Sequence, residues 1–137
     1  MRLCRVRLSG FKTFAARTEA ALDPGVTAVV GPNGSGKSNL VDAIRWALGE
    51  TNARELRGAR MDEVIYSGGA GRAPMGVAQV ELVLDNQDGR LPVDDAEVLD
   101  TAPQTLGAHF TGSVIDDRTG MCVIWRNGRA VHAYRID

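Results

Sequence analysis

The chain has 137 residues, enough for one compact domain with its own core and too few for two ordinary ones. Its 44% hydrophobic and 24% charged residues match a soluble globular domain, no apolar run approaches a membrane span, and Met1-Arg2-Leu3-Cys4-Arg5 does not lead into a signal-peptide core. A net charge of −1 and a pI near 6.1 give no bulk electrostatic basis for nucleic-acid binding, so any such contact needs a local patch.

Residues 2–9 alternate, with Cys4, Val6 and Leu8 on one face and Arg5 and Arg7 on the other, which predicts a half-buried strand. Gly10 breaks it, and Phe11-Lys12-Thr13-Phe14 follows as a turn with two aromatic anchors. A short strand is expected over 18–22, ended by the turn Asp23-Pro24-Gly25. Residues 26–30 are nearly all apolar and rich in valine, the pattern of a strand buried on both faces. After a glycine-rich loop, Leu40, Val41, Ile44, Ala47 and Leu48 recur at helical spacing, and Gly49 stands where a C-terminal cap belongs. Residues 50–63 are polar and arginine-rich, anchored by Leu56 and Met61; 64–66 reads as a short strand and 67–74 as a Gly/Pro loop. Residues 77–85 alternate again, Ala78, Val80, Leu82 and Leu84 against Gln79, Glu81 and Asp85, with a turn at 86–89. Residues 91–108 have little periodicity and read as a loop or insertion. Strands are expected over 110–115, 121–125 and 130–136, with turns at 116–120 and at Asn127-Gly128.

The chemistry lies in the glycine-rich loop. Gly31-Pro32-Asn33-Gly34-Ser35-Gly36-Lys37-Ser38 satisfies G-x-x-x-x-G-K-[ST] in full, with an apolar run before it and an amphipathic helix after it. The glycines admit backbone angles and a close approach that a Cβ would block. The loop's N–H groups then face the phosphates, reinforced by the positive end of the helix dipole. Lys37 would reach the β- and γ-phosphate oxygens, and Ser38 would give its hydroxyl to Mg²⁺. The chain has 14 arginines but only two lysines, Lys12 and Lys37. With arginine serving wherever a generic positive charge suffices, the lysines fall where a compact ammonium is needed. Cys4 and Cys122 have no metal-ligand spacing and read as thiols of a reducing compartment.

The blocks "LSGFKTF", "VVGPNGSGKSNLVDAIRWALGE" and "ELRGARMDEVIYSG", in this order and at these distances, resemble the N-terminal head segment of bacterial chromosome-segregation SMC proteins. The resemblance runs over residues 1–98 and includes "VAQVELVLDN"; residues 99–137 read as a divergent, β-rich continuation of the same domain. It implies an α/β P-loop NTPase of ABC/SMC type, an N-terminal half-head with a mixed β-sheet around the P-loop helix and a terminal β-hairpin. It further implies that Pro32 to Asn39 wrap the triphosphate of ATP, with Mg²⁺ at Ser38. Lys12 would lie near the nucleotide, Arg57 would be the arginine of the family's R-loop, and Asp62 would line the ribose side. Implied partners are the C-terminal half of the same head, a second head across a shared ATP, a kleisin-type subunit, and DNA through the completed complex. The implied location is cytoplasmic and nucleoid-associated, with no membrane.

Such an ATPase also needs a Walker B Asp-Glu pair, a Q-loop glutamine and a signature Ser-Gly-Gly, and this chain stops before them. Tyr66-Ser67-Gly68-Gly69 mimics the signature, but Pro74 argues against a following helix. Ser113-Val114-Ile115-Asp116-Asp117 mimics Walker B with too short an apolar run. Asp94, Asp95 and Glu97 read as loop acids, and His109 and His132 as isolated residues. No catalytic residue is therefore expected in this chain beyond Lys37 as a phosphate stabiliser. The alternatives are a RecF/RecN-like repair ATPase fragment, a self-contained P-loop kinase, or a truncated inactive fragment. An arginine patch of Arg54, Arg57, Arg60 and Arg72 is the candidate for DNA contact.

Overall fold

A computed structural model describes residues 2–85 in full and the backbone of strands at 108–116, 121–126 and 129–135. Six strands, β1 (Arg2–Ser9), β2 (Thr18–Ala21), β3 (Val77–Asp85), β4 (Ala108–Asp116), β5 (Met121–Arg126) and β6 (Arg129–Arg135), form one sheet in the order β2-β1-β3-β4-β5-β6. One α-helix, α1 (Lys37–Ala47), lies over β3 and β4, and two 3-10 turns follow it at Ala53–Leu56 and Met61–Val64. The loop predicted at 91–108, up to residue 107, and the turns at 86–89, 117–120 and 127–128 lie outside the described residues, as do the loop acids among them. The strands predicted on either side of the last turn do pair as β5 and β6.

The alternation in β1 and β3 works as the pattern requires. Val6, Leu8, Ala78, Val80 and Leu82 enter the core, and the opposite face carries charge. On that face Arg7 stands directly across from Glu19 of β2 and Glu81 of β3, bonded to them at 2.9 and 2.8 Å. Burial by itself would lower the Arg7 pKa, but the two glutamates outweigh it and raise it. A guanidinium gripped from both neighbours fixes the register of three strands at one point.

Three expectations are corrected. Among the described residues every strand pairing is antiparallel, so the described sheet is not mixed. Residues 26–30 were expected as a strand buried on both faces, yet they form no strand here, with Val26 99% and Val30 86% exposed. A central strand needs hydrogen-bonding neighbours on its edges, and among the described residues none is offered. The predicted strand at 64–66 is likewise reduced to a single bridge between Ile65 and Phe11.

The helix is also asymmetric in a way the spacing did not give. Its buried face holds Asp42, Ala43, Trp46 and Ala47, whereas Val41 and Leu48 are exposed. On a 3.6-residue wheel Val41 and Leu48 fall within about 20° of each other and roughly 100–120° beyond Ala47, so the sheet covers only part of the apolar arc. Trp46 stacks on Phe11 with ring centroids 5.4 Å apart, and Leu56, Met61, Val64 and Ile65 close the core around them.

Gly10 ends β1 at φ 62, where an added Cβ would lie 2.0 Å from the Val77 carbonyl oxygen. Gly10→Ala is expected to cost more than the ~1–2 kcal/mol of a left-handed alanine alone, because the start of β3 must also move. A thermal melt that matches the parent would contradict this packing.

Candidate nucleotide-binding site

Gly36 caps α1 in the left-handed region at φ 94. A Cβ there would meet Thr13 Oγ1 at 2.9 Å and Phe14 Cζ at 3.4 Å, so the end of the glycine-rich loop is seated on the 11–14 turn. That turn is closed by paired backbone bonds between Phe11 and Phe14 at 3.1 and 2.7 Å, as its two aromatic anchors suggested. Pro32, Asn33, Gly34, Ser35 and Ser38 are exposed. The Lys37 ammonium folds over the loop and donates to the carbonyls of Gly31 at 2.5 Å and Pro32 at 2.6 Å. No acid stands in the first turn of α1, so its dipole and the Lys37 charge together present an unneutralised positive end. Ser38, the next residue in the helix, is exposed to solvent. Among the described residues no group of three or more His, Cys, Asp or Glu forms a separate metal site.

Behind the loop lies a polar cluster. Asp42 is 3% exposed, and its Oδ2 accepts from Lys12 Nζ at 2.6 Å and from Arg57 Nε and Nη2 at 2.9 and 2.6 Å. Lys12 also donates to the Leu56 carbonyl. Arg57 Nη2 reaches Asn39 Oδ1 at 2.8 Å, and Asn39 Nδ2 donates to Thr13 Oγ1 at 2.9 Å. The sequence-predicted Lys12, Asn39 and Arg57 are thus brought together beside the P-loop. Asp62 is not part of this set: it is engaged by Arg60, at 3.2 Å from Nε and 3.1 Å from Nη2. A cleft of about 280 Å³ adjoins the cluster, with Lys12, Thr13, Leu56, Arg57, Arg60 and Ser67 among its walls.

Asp42 was not singled out from the sequence, although the signal was there. It is an acid at helical spacing from Trp46 within an otherwise apolar stretch, and a carboxylate on a buried face must be paired. Burial would push the Asp42 carboxyl up, but hydrogen bonds from Arg57 and Lys12 and their charges prevail and hold it below the usual carboxylate range. The sign of the linkage follows. The stability Asp42 contributes is complete above its ordinary value of 3.8 and is lost as pH falls through the lower folded value. Acid unfolding of Asp42→Asn is expected to begin from a lower neutral-pH stability and to be shallower below about pH 4. Parallel acid limbs for the two proteins would contradict this.

Of the four arginines proposed as a DNA patch, Arg57 and Arg60 are ion-paired, and Arg54 and Arg72 are exposed. Cys4 is a free, half-buried thiol, and no described helix is long and apolar enough to cross a membrane.

A glycine-rich loop entering an amphipathic helix, braced by a buried ionic cluster against an antiparallel sheet, is the arrangement of a P-loop domain. The sequence matches the RecF/RecN/SMC N terminal domain over residues 2–114, and the chain belongs to that family. It is 53% identical over 98 residues to the chromosome partition protein Smc of Mycobacterium leprae (strain TN), covering 72% of this chain and 8% of that protein. The chain therefore spans under a tenth of that relative's length. Among solved structures, it resembles an SMC ATPase studied for ATP-driven dimerization and DNA-stimulated activation, with a TM-score of 0.82 and 28% identity over 96% of this chain and 73% of that one. It also resembles an Smc head bound to the C-winged helix domain of ScpA, with a TM-score of 0.83 and 28% identity over 96% of this chain and 37% of that one.

Proposed function

We propose that this chain is the ATP-binding N-terminal part of an SMC-type ATPase head acting in chromosome condensation and partitioning. The observation that carries the reading is the P-loop itself, with Lys37 poised over the loop carbonyls at the uncompensated N-terminus of α1. Residues 31–39 hold the triphosphate of ATP: their N–H groups and Lys37 neutralise its charge, and Ser38 holds Mg²⁺, which when bound screens the phosphate oxygens. Lys12 and Arg57 stand on the flank of the same site, and Asp62 is assigned to its ribose side through the resemblance.

Residues 99–137 continue the same domain, which the nine-residue pairing of β4 along β3 supports. The partner is the C-terminal half of the head. A valine-rich run left exposed at 26–30 and the exposed Val41 and Leu48 are surfaces that burial against another segment would stabilise. Two completed heads then sandwich ATP and so control DNA entrapment in the cytoplasm. A kleisin-type subunit is a further partner, supported by the ScpA-bound neighbour.

Catalysis needs an acid pair that these residues do not supply, so the purified chain is expected to bind ATP and hydrolyse little or none. Phosphate release measured with excess Mg·ATP checks this. Appreciable turnover that disappears with Lys37→Ala would overturn the split-site reading.

A further inference from the structure

The cluster around Asp42 holds one more positive charge than neutralisation needs. Lys12 alone, with its side chain 13% exposed and its ammonium 2.6 Å from Oδ2, already compensates the buried carboxylate. Arg57 is added to the same oxygen from the other side with its side chain 51% exposed, so the set carries a net charge of about +1 at neutral pH. Both cations sit on residues with left-handed backbone, Lys12 at φ 47 and Arg57 at φ 57, a conformation that costs a non-glycine residue free energy unless its surroundings enforce it. Here the enforcing contacts are visible. The Lys12 N–H donates to the Val64 carbonyl at 2.7 Å, and the Arg57 N–H to the Arg54 carbonyl at 2.9 Å. Arg57 further spans from Asp42 to Asn39, the residue after Ser38, and Thr13 fixes the orientation of Asn39. Its Nε and Nη2 are used, and among the described residues its Nη1 takes no bond, so one edge of the fork is still available to an acceptor.

We propose that Asp42 is a positioning residue for the nucleotide: it fixes Arg57 against the P-loop helix so that the remaining edge of the guanidinium meets phosphate oxygens of bound ATP. The inference rests on the ATP-binding reading above. It makes a prediction opposite in sign to simple electrostatics. Removing a negative charge near the phosphate site should tighten ATP binding if Asp42 is a bystander, whereas releasing Arg57 should weaken it.

The test is a fluorescence titration of the 137-residue chain with an N-methylanthraniloyl ATP analogue in Mg²⁺, comparing the parent, Asp42→Asn, Arg57→Ala and the double variant. Asp42→Asn is expected to bind about tenfold more weakly, Arg57→Ala to a similar degree, and the double variant no worse than either alone. Unchanged or tighter binding by Asp42→Asn, with Arg57→Ala weakened, overturns the positioning role and leaves ATP binding intact. No binding by the parent removes the ATP reading, and parent-like affinity in Arg57→Ala removes the arginine's part in it; each takes the inference with it. Should Asp42→Asn fail to fold, Arg57→Lys reads the same geometry from the exposed side. Lysine keeps the charge but lacks the planar fork that grips Asp42 through two nitrogens and leaves a third for phosphate, so parent-like affinity there also overturns the proposal.

Discussion

Replacing Lys37 with alanine is expected to weaken ATP binding by about 100-fold or more, equivalent to ~2.7 kcal/mol, while leaving the melting temperature nearly unchanged. The two halves of that statement have separate causes. Among the described residues, Lys37 Nζ is bonded to carbonyls of its own loop, Gly31 and Pro32. Water can replace those bonds at an exposed loop at little net cost. With a triphosphate in place, the same ammonium meets several anionic oxygens, and each bond is charge-assisted. Calorimetric titration with ATP, paired with a thermal melt of both proteins, checks both halves. A variant that binds as tightly as the parent would mean that the loop does not hold phosphate. One that binds poorly but also melts much lower would mean that Lys37 is structural.

The second large effect is expected in the core. Trp46 is 1% exposed and stacked on Phe11, so Trp46→Ala removes the largest buried side chain among the described residues and leaves a cavity against the core. Such truncations cost ~3–5 kcal/mol, which for a domain of this size lowers the melting temperature by roughly 10–20 °C. Native stabilities are only about 5–15 kcal/mol, so the variant keeps little reserve. Val30→Ser provides the contrast. Val30 is 86% exposed, and in this chain the change is expected to shift stability by no more than ~0.5 kcal/mol. If melts show the two substitutions to be equally harmful, then 26–30 is buried in solution and the unpaired strand run is not as described.

Much of this arrangement could be read from residue order. The alternation at 2–9 and 77–85 placed β1 and β3 with their faces assigned, because a half-buried strand writes its burial into a period of two. The glycine-rich loop and the start of α1 could be read because both are written in residues adjacent in the chain. The SMC resemblance likewise rested on contiguous blocks. Helix α1 was only half legible. Its apolar arc announced a helix, but the spacing of Leu40, Val41, Ile44, Ala47 and Leu48 could not say which part of that arc the sheet would cover.

What the chain order by itself determined is the glycine-rich loop, the helix behind it and the alternating faces of β1 and β3, each written in a local pattern of residues. Only the tertiary structure decided that Lys12 and Arg57, 45 residues apart, grip one oxygen of Asp42. It also decided that, among the described residues, 26–30 has no strand partner and every strand pairs antiparallel. The physical reason is common to all three. Pairing of a buried charge and pairing of a strand edge are satisfied by whatever group the fold brings near, and sequence separation places almost no limit on which group that is.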